Sequence, residues 1–114
     1  MANYSPDLDR VFGALAEPTR RGIVARLSKG EATLGDLAAP TGLRLPTVMR
    51  HVAVLEEAGL VATRKAGRRR ICTLQPEALA TGLDWMEAQQ ACWHARLDRL
   101  ERIVMQQDKD NTDD

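Results

Sequence analysis

Basic and hydrogen-bonding side chains cluster between positions 44 and 70 of this 114-residue sequence. Arginine can form two parallel hydrogen bonds to guanine, and threonine or histidine can donate or accept at other base edges. Arginine and lysine also neutralise phosphates whatever the base sequence. These residue types therefore indicate a surface for a nucleic acid. Its candidate residues are Arg44, Thr47, Arg50, His51, Arg64, Lys65, Arg68, Arg69 and Arg70.

The formal charge of zero conceals an uneven distribution along the chain. Residues 1–75 contain twelve Lys/Arg against seven Asp/Glu, a net of +5. Residues 76–114 contain four against nine, a net of −5. Such an asymmetry indicates a polyanion as the partner of the basic half.

The length and composition predict one globular domain over residues 1–107, since 44% of the residues are hydrophobic and 28% charged. The last residues, 108–114, are acidic and contain no apolar residue, so we expect a disordered tail. No apolar run approaches the roughly 20 residues that span a bilayer, and the start lacks the pattern of a signal peptide. We therefore expect a cytoplasmic protein without a membrane partner.

The segment LPTVMRHVAVLEEAGLV, residues 45–61, predicts the helix that positions the first candidates. Pro46 stands at its start, and Gly59 ends it. Apolar residues recur at helical spacing and form the stripe that we expect to be buried: Val48, Val52, Leu55 and, past the end, Leu60. Four residues of this helix lie near the side opposite the buried stripe: Thr47, Arg50, His51 and Val54.

This helix has no good N-cap, because Arg44 and Leu45 occupy the candidate positions. Free amide groups at a helix N-terminus form an anion site. One hypothesis is that a DNA phosphate, aided by Arg44, satisfies them, and the alternative is that water does so.

Three shorter helices precede this one. The first opens with Ser5 as N-cap, the second covers roughly 18–28, and Thr33 caps the third, which Pro40 stops. After Gly59 the apolar period changes from 3.6 to 2, so LVATRKAGRRRICTL predicts a hairpin with a basic turn. Its second strand places Arg70, Cys72 and Leu74 on one face and Ile71 and Thr73 on the other, without showing which is buried.

The last helix is predicted over about 77–106 and carries an unbroken heptad pattern. The shorter elements already supply a small core, and so long a helix is not needed to cover it. We therefore expect the heptad pattern to pack against the same helix of a second chain. This last helix is the fifth and is called α5, and its pattern members after Leu79 are called the α5 seam: Leu83, Met86, Gln90, Trp93, Leu97, Leu100 and Val104.

The order of elements is that of a helix-turn-helix followed by a wing. A recognition helix fits the major groove of B-DNA, and a basic hairpin flanks the duplex. The sequence thus predicts a mainly α-helical fold with a two-stranded β wing. This is a winged helix-turn-helix with four helices, two strands and one long helix, whose partner is double-stranded DNA.

The segments ALAEPTRRGIVARLSKGEATLGDLA, TVMRHVAVLEEAGLVATRKAGRRRICTL and LDWMEAQQACWHARLDRLERI resemble the ArsR (SmtB) family of bacterial winged-helix repressors. The resemblance covers about residues 8–106. It implies a homodimer that represses transcription at a palindromic operator. It also implies that the first and last helices build the dimer, with Leu8, Val11 and Phe12 joining the α5 seam.

Departures from the family concern its metal sensors and one DNA contact. The third helix segment, EATLGDLAA, has no cysteine. On the last helix Met86 follows Asp84 where a histidine ligand belongs, and Leu97 and Leu100 occupy the later ligand positions. The chain therefore resembles a branch without metal sites, and we expect neither metal nor cofactor. Met49 also replaces the serine that usually stands beside the Arg-His pair.

Two alternatives to a plain DNA-binding repressor remain. One is a winged helix that binds a protein and not DNA, and the other is a repressor that responds to thiol oxidation through Cys72 and Cys92. His94 and Cys92 are two residues apart and lie on different sides of a helix, so they do not chelate a metal together. No catalytic set is recognisable, so an enzyme is not expected. The sequence identifies no small-molecule effector.

Overall fold

The computed structural model describes residues 6–111. The elements in chain order are α1 (Pro6–Leu15), α2 (Pro18–Leu27), β1 (Ala32–Thr33), α3 (Leu34–Ala38), α4 (Leu45–Glu57), β2 (Val61–Ala66), β3 (Arg69–Leu74) and α5 (Pro76–Asn111). The predicted succession of helices and hairpin is confirmed, and β1 is an addition. The chain divides into two compact units, residues 1–82 and 83–114.

Proline begins each of the first two helices, where its missing N–H leaves no bond unmade. Pro6 starts α1 and Pro18 starts α2. Ser5, the predicted cap of α1, lies outside the described residues. The cap of α2 is Glu17, whose carboxylate accepts a hydrogen bond from the backbone N–H of Arg20 at 2.9 Å. This cap fixes where α2 begins.

Thr33 caps α3 as predicted, in a reciprocal arrangement with Asp36. Each side chain accepts a hydrogen bond from the backbone N–H of the other residue, at 3.1 Å in both cases. The hydrogen bond from the Thr33 backbone N–H, with a smaller contribution from the Thr33 hydroxyl, lowers the pKa of Asp36, so its carboxylate remains ionised in the cap. α3 ends at Ala38, two residues before Pro40, as predicted, and a 3₁₀ turn over Ala39–Thr41 follows it. Gly42, with φ at 69°, then turns the chain towards α4.

A glycine ends α4, as the sequence predicts. Gly59 has φ at 75°, which is strained for any residue with a Cβ. The N–H of Leu60 donates to the carbonyl of Leu55 at 2.9 Å, and that of Gly59 donates to Glu56 at 3.0 Å. This pair of bonds is a Schellman motif. The motif directs the chain from the helix into β2.

The sheet has the antiparallel order β1-β3-β2, so β3 is its central strand. Cys72 of β3 stands opposite Ala32 on one side and Thr63 on the other. Its side chain is fully buried, which settles that the Cys72 face of the hairpin packs inwards. Gly67, with φ at 64°, allows the tight turn between β2 and β3.

The core joins all elements of the first unit. Helical spacing predicts that Ile23, Val24 and Leu27 of α2 face inwards; Ile23 and Leu27 are buried, and Val24 is partly buried against the core. The predicted stripe of α4 is buried as well, at 0–2% exposure, and comprises Val48, Val52 and Leu55. The other members of the core are Val11, Ala14, Ala32, Leu37, Ala58, Leu60, Val61 and Cys72.

Two residues predicted to contact a second chain are buried within the single chain. Leu8 is 6% exposed and Val11 is 2% exposed. A Cβ at Gly82 would lie 3.5 Å from Val11 and 3.8 Å from Phe12, which are ordinary van der Waals distances, so α1 packs against the start of α5 within the first unit. Leu8 and Val11 are thus already covered within one chain, whereas Phe12 is half-buried, and the assignment of all three to a dimer contact stays a prediction.

α5 is longer than the sequence predicts. It reaches Asn111, so residues 108–111 are helical and not part of an irregular tail, while 112–114 lie outside the described residues. The side chains described in the second unit, residues 83–110, are all exposed. Its apolar seam residues are 41–56% exposed: Leu83, Met86, Trp93, Leu97, Leu100 and Val104. This unit therefore carries an apolar stripe that no described residue of the same chain covers.

Candidate nucleic-acid interface

The side of α4 away from its buried stripe carries Arg50. Its side chain is exposed and, within the described residues, makes no hydrogen bond or ion pair. Met49 next to it is 47% exposed. An arginine can bond guanine, and an apolar side chain can contact a thymine methyl group. The outer face of the first half of α4 therefore offers both kinds of contact.

Thr47 and His51 lie one helical turn apart on one edge of the α4 face and are half-buried. His51 is not free, because its Nδ1 lies 3.3 Å from Nη1 of Arg20 and 3.8 Å from Oε2 of Glu17. The sequence predictions missed both partners. In the sequence, the segment EPTR at residues 17–20 indicates only the start of a helix. The contact between Arg20 and His51 joins residues that are 31 positions apart.

The basic residues of the hairpin divide between its two faces. Lys65 stands directly opposite Arg70, on the same face as buried Cys72. Like charges directly opposite each other destabilise a strand pair. Arg64 and Arg69 lie on the other face, and Arg64 is paired with Glu31 at 3.2 Å. A bound anion would relieve the repulsion between Lys65 and Arg70, so this pair is consistent with an anion site near the hairpin tip.

Two clefts lie between the hairpin and the helices α3 and α4. One, of about 470 Å³, is lined by Arg68, Arg69 and Arg70 together with Leu45 and the start of α3. The other, of about 230 Å³, is lined by Arg70 and by Met49, Val52, Ala53 and Glu56 of α4. The three hairpin arginines, Arg68 to Arg70, therefore lie beside the first turn of α4.

Most cations of this surface lack an internal partner. Within the described residues no hydrogen bond or ion pair is formed by Arg44, Arg50, Lys65, Arg68, Arg69 or Arg70. In contrast, the arginines of α1 and α2 all have partners: Arg10 with Asp7, and Arg20, Arg21 and Arg26 with backbone carbonyls. The unpaired positive charge of residues 6–82 is therefore concentrated on α4, its preceding loop and the hairpin, with Lys29 as the exception.

The start of α4 offers a smaller anion site than the sequence predicts. Arg44 occupies the N-cap position without a side-chain hydrogen bond, as expected. However, Pro46 has no N–H, and the N–H of Thr47 donates to the carbonyl of Arg44 at 3.0 Å. Among the first three helical residues this leaves only the amide of Leu45 for an anion. The prediction that Arg44 contacts DNA therefore depends mainly on its side chain and less on the helix N-terminus.

Cys72 and Cys92 are both free thiols. Cys72 is fully buried, and this burial, with a smaller effect of Glu56, raises the pKa of its thiol. Redox-sensing cysteines instead have lowered pKa values and are accessible. The environment of Cys72 therefore does not favour the thiol-responsive alternative.

The two thiols are expected to differ in reactivity. In the native protein a small thiol reagent should modify one cysteine per chain rapidly, Cys92, because its side chain is exposed. Cys72 should react only after unfolding, because it is buried and protonated at neutral pH. Mass spectrometry of the labelled native protein and of Cys92→Ser measures this. Rapid labelling of Cys92→Ser would contradict the assignment.

Two further features of the described residues are negative findings. They contain no group of three or more His, Cys, Asp or Glu side chains that could hold a metal ion. Among the helices of residues 6–111, none combines the length and apolar character needed to cross a membrane. Neither finding bears on segments outside these residues.

A short helix, a turn at Gly42, a second helix with a free outer face and a basic hairpin beside it define a winged helix-turn-helix protein. A profile of helix-turn-helix domains matches residues 15–64. The transcriptional regulator Rv2034 of Mycobacterium tuberculosis is 45% identical over 94 residues, 77% of this chain and 86% of the relative. The arsenical resistance operon repressor of Escherichia coli is 32% identical over 96 residues, 83% of this chain and 80% of the relative.

Solved structures agree with these sequence relatives. The crystal structure of the ArsR family transcriptional regulator RHA00566 has a TM-score of 0.77 and 41% identity, covering 82% of this chain and 97% of that one. The homodimeric winged helix-turn-helix DNA-binding domain Mb0332 of Mycobacterium bovis has a TM-score of 0.61 and 29% identity, covering 82% and 95%. The chain belongs to the ArsR family of transcriptional regulators, as the sequence resemblance predicts.

Proposed function

We propose that this protein is a dimeric repressor that binds a two-fold symmetric operator through α4 and the hairpin. The observation that carries the proposal is the concentration of unpaired cations on these two elements. Arg50, with Thr47 and His51, discriminates bases in the major groove. Arg44, Lys65 and the wing arginines, Arg68 to Arg70, contact phosphates or the minor groove, and Arg64 does so by exchanging Glu31 for a phosphate.

The dimer is proposed from the α5 seam. An exposed apolar stripe at heptad spacing is a coiled-coil surface, and Gln90 is its single polar member. The similar domain Mb0332 is a homodimer. Two copies would present recognition helices to successive major grooves, about 34–36 Å apart. The palindromic operator follows from this symmetry.

The remaining parts of the proposal concern chemistry and location. The relatives are transcriptional regulators, and we propose a role in gene regulation without catalysis. We also propose that the protein acts in the bacterial cytoplasm, on the nucleoid. The absence of the family's metal motifs from the sequence supports a member without a metal sensor site. The sequence does not identify an effector.

The decisive experiment is selection of DNA from a random duplex library by the purified protein, followed by sequencing. We expect an enriched palindrome with half-sites one helical turn apart, which then shifts in a gel at nanomolar protein. Enrichment of no sequence, together with no binding to any duplex at low salt, would reject the proposal in favour of a winged helix that binds a protein.

A wing variant tests the phosphate contacts. Arg70→Ala should weaken binding to all sequences alike and reduce the slope of log K against log salt by about 0.9, because one phosphate contact and its released counterion are lost. The slope is measured by fluorescence anisotropy at several salt concentrations. Arg10→Ala, which removes an equally charged but paired side chain on α1, is the control and should keep the parental slope. An unchanged slope in Arg70→Ala would exclude this contact.

A further inference from the structure

His51 of α4 is held by the start of α2. Arg20 Nη1 lies 3.3 Å from His51 Nδ1, and Glu17 Oε2 lies 3.8 Å from the same nitrogen. The imidazole is mostly covered, with 20% of its side chain exposed. Because its neighbours on α2 carry opposite charges, the geometry of these three groups determines which nitrogen of the ring carries the proton.

The hydrogen-bonding capacity of arginine decides this question. A guanidinium group can only donate hydrogen bonds, so Nδ1 must be the acceptor in the contact with Arg20. In the neutral ring the proton is then on Nε2. The distance of 3.8 Å to Glu17 is too long for a hydrogen bond, so the carboxylate does not compete for a proton on Nδ1.

Nε2 is left to solvent. Within the described residues no protein atom forms a hydrogen bond with it, and no buried side-chain nitrogen lacks a partner. Nε2 is therefore both unbonded and accessible. In this tautomer His51 presents a single N–H donor on the side of α4 that also carries Thr47.

Arg20 is itself fixed in place by the end of α1. Its Nε donates to the carbonyl of Ala14 at 2.7 Å, and Nη2 donates to that of Gly13 at 3.3 Å. Glu17 is held by the N–H of Arg20, which lowers the pKa of Glu17 and keeps its carboxylate ionised. These bonds anchor the guanidinium independently of His51.

We propose that Arg20 is a positioning residue for DNA recognition, which occupies Nδ1 of His51 and thereby makes Nε2–H a fixed donor to an acceptor on the DNA. The inference rests on the proposed DNA-binding function and adds to it a residue that does not itself touch DNA. A fixed donor matches acceptors such as phosphate oxygens, guanine O6 and N7, or thymine O4, and rejects another donor.

A double-mutant cycle on the selected duplex tests the coupling. Arg20→Ala and His51→Ala should each weaken binding about three- to tenfold, the effect of one hydrogen bond. In the His51→Ala background Arg20→Ala should have less than about a twofold effect. His51→Gln should bind better than His51→Asn, because only the longer amide places a donor near Nε2. Equal effects of Arg20→Ala in both backgrounds would overturn the proposal.

The matched control is Arg21→Ala. Arg21 donates to the carbonyl of Leu15 at 2.8 Å, so it caps the same helix and carries the same charge without contacting His51. We expect this variant to bind within about twofold of the parent. A loss as large as that of Arg20→Ala would attribute the effect to the end of α1 and reject a role through His51.

A spectroscopic measurement separates this inference from the proposed function. At a pH where the ¹⁵N shifts show a neutral ring, ¹⁵N NMR should show His51 as a single Nε2–H tautomer, and Arg20→Ala should convert it to a mixture like exposed His94. If the protein binds no duplex but shows this tautomer, the DNA role fails while the Arg20–His51 bond stands. If it binds DNA with an unchanged tautomer in Arg20→Ala, only the positioning role fails.

Discussion

Leu97→Glu is expected to turn the dimer into a monomer and to weaken operator binding by about 10²–10⁴-fold, the range by which linked sites exceed single ones. Leu97 is a central member of the α5 seam and is 41% exposed in a single chain. A carboxylate there would have to be buried between two helices without a partner, which opposes association. Analytical ultracentrifugation at micromolar concentration measures the first effect and anisotropy with the operator duplex the second.

The matched control is Ala95→Glu, which adds the same charge to the same helix two residues away. Ala95 is exposed and is not part of the seam, so this variant should remain dimeric and bind the operator normally. If Leu97→Glu stayed dimeric, or if the parent protein were monomeric at micromolar concentration, the proposed assembly through α5 would be wrong.

Arg50→Ala is expected to lose about 1–3 kcal/mol of operator affinity and to relax the preference for one base pair in each half-site. The reason is that Arg50 is exposed on α4 and, in the described part of the chain, has no internal partner. Its substitution therefore removes a contact to DNA without disturbing the fold. Binding to a panel of operator variants, one base pair changed at a time, measures the effect.

Arg50→Lys gives this prediction its control. Lysine keeps the charge but lacks the planar fork that bonds guanine twice. The variant should retain the salt dependence of the parent and lose its discrimination at that base pair. If Arg50→Ala instead weakened all operator variants equally, Arg50 would be a phosphate contact and not a base contact.

Patterns within single segments sufficed to predict most of the fold. The spacing of Val48, Val52 and Leu55 predicted the buried stripe of α4, and Gly59 predicted its end. The shift from helical to alternating periodicity predicted the hairpin, and the heptads predicted α5. Each of these features depends on residues a few positions apart, so the sequence contains the whole signal.

Other features depend on segments that are distant in the chain, and only the tertiary structure decided them. β1 has two residues, too few for a pattern, and exists because Ala32 pairs with Cys72. Alternation grouped the side chains of β3, but packing determined that the Cys72 face is the buried one. Leu8 and Val11 were predicted to contact a second chain, and only the packing of α1 showed that both are already buried within one chain.

The candidate site shows the same division. A basic DNA-binding surface could be predicted from the residue types and spacing of Arg50 and the wing arginines, because all of them lie between positions 44 and 70. The link between Arg20 and His51 could not be predicted, since it joins α2 to α4 across 31 residues and depends on the packing of both helices. The sequence by itself determined which elements form and what charge they carry, because periodicity, turn glycines and charge are local properties. Which side chains meet between those elements was decided by tertiary packing alone.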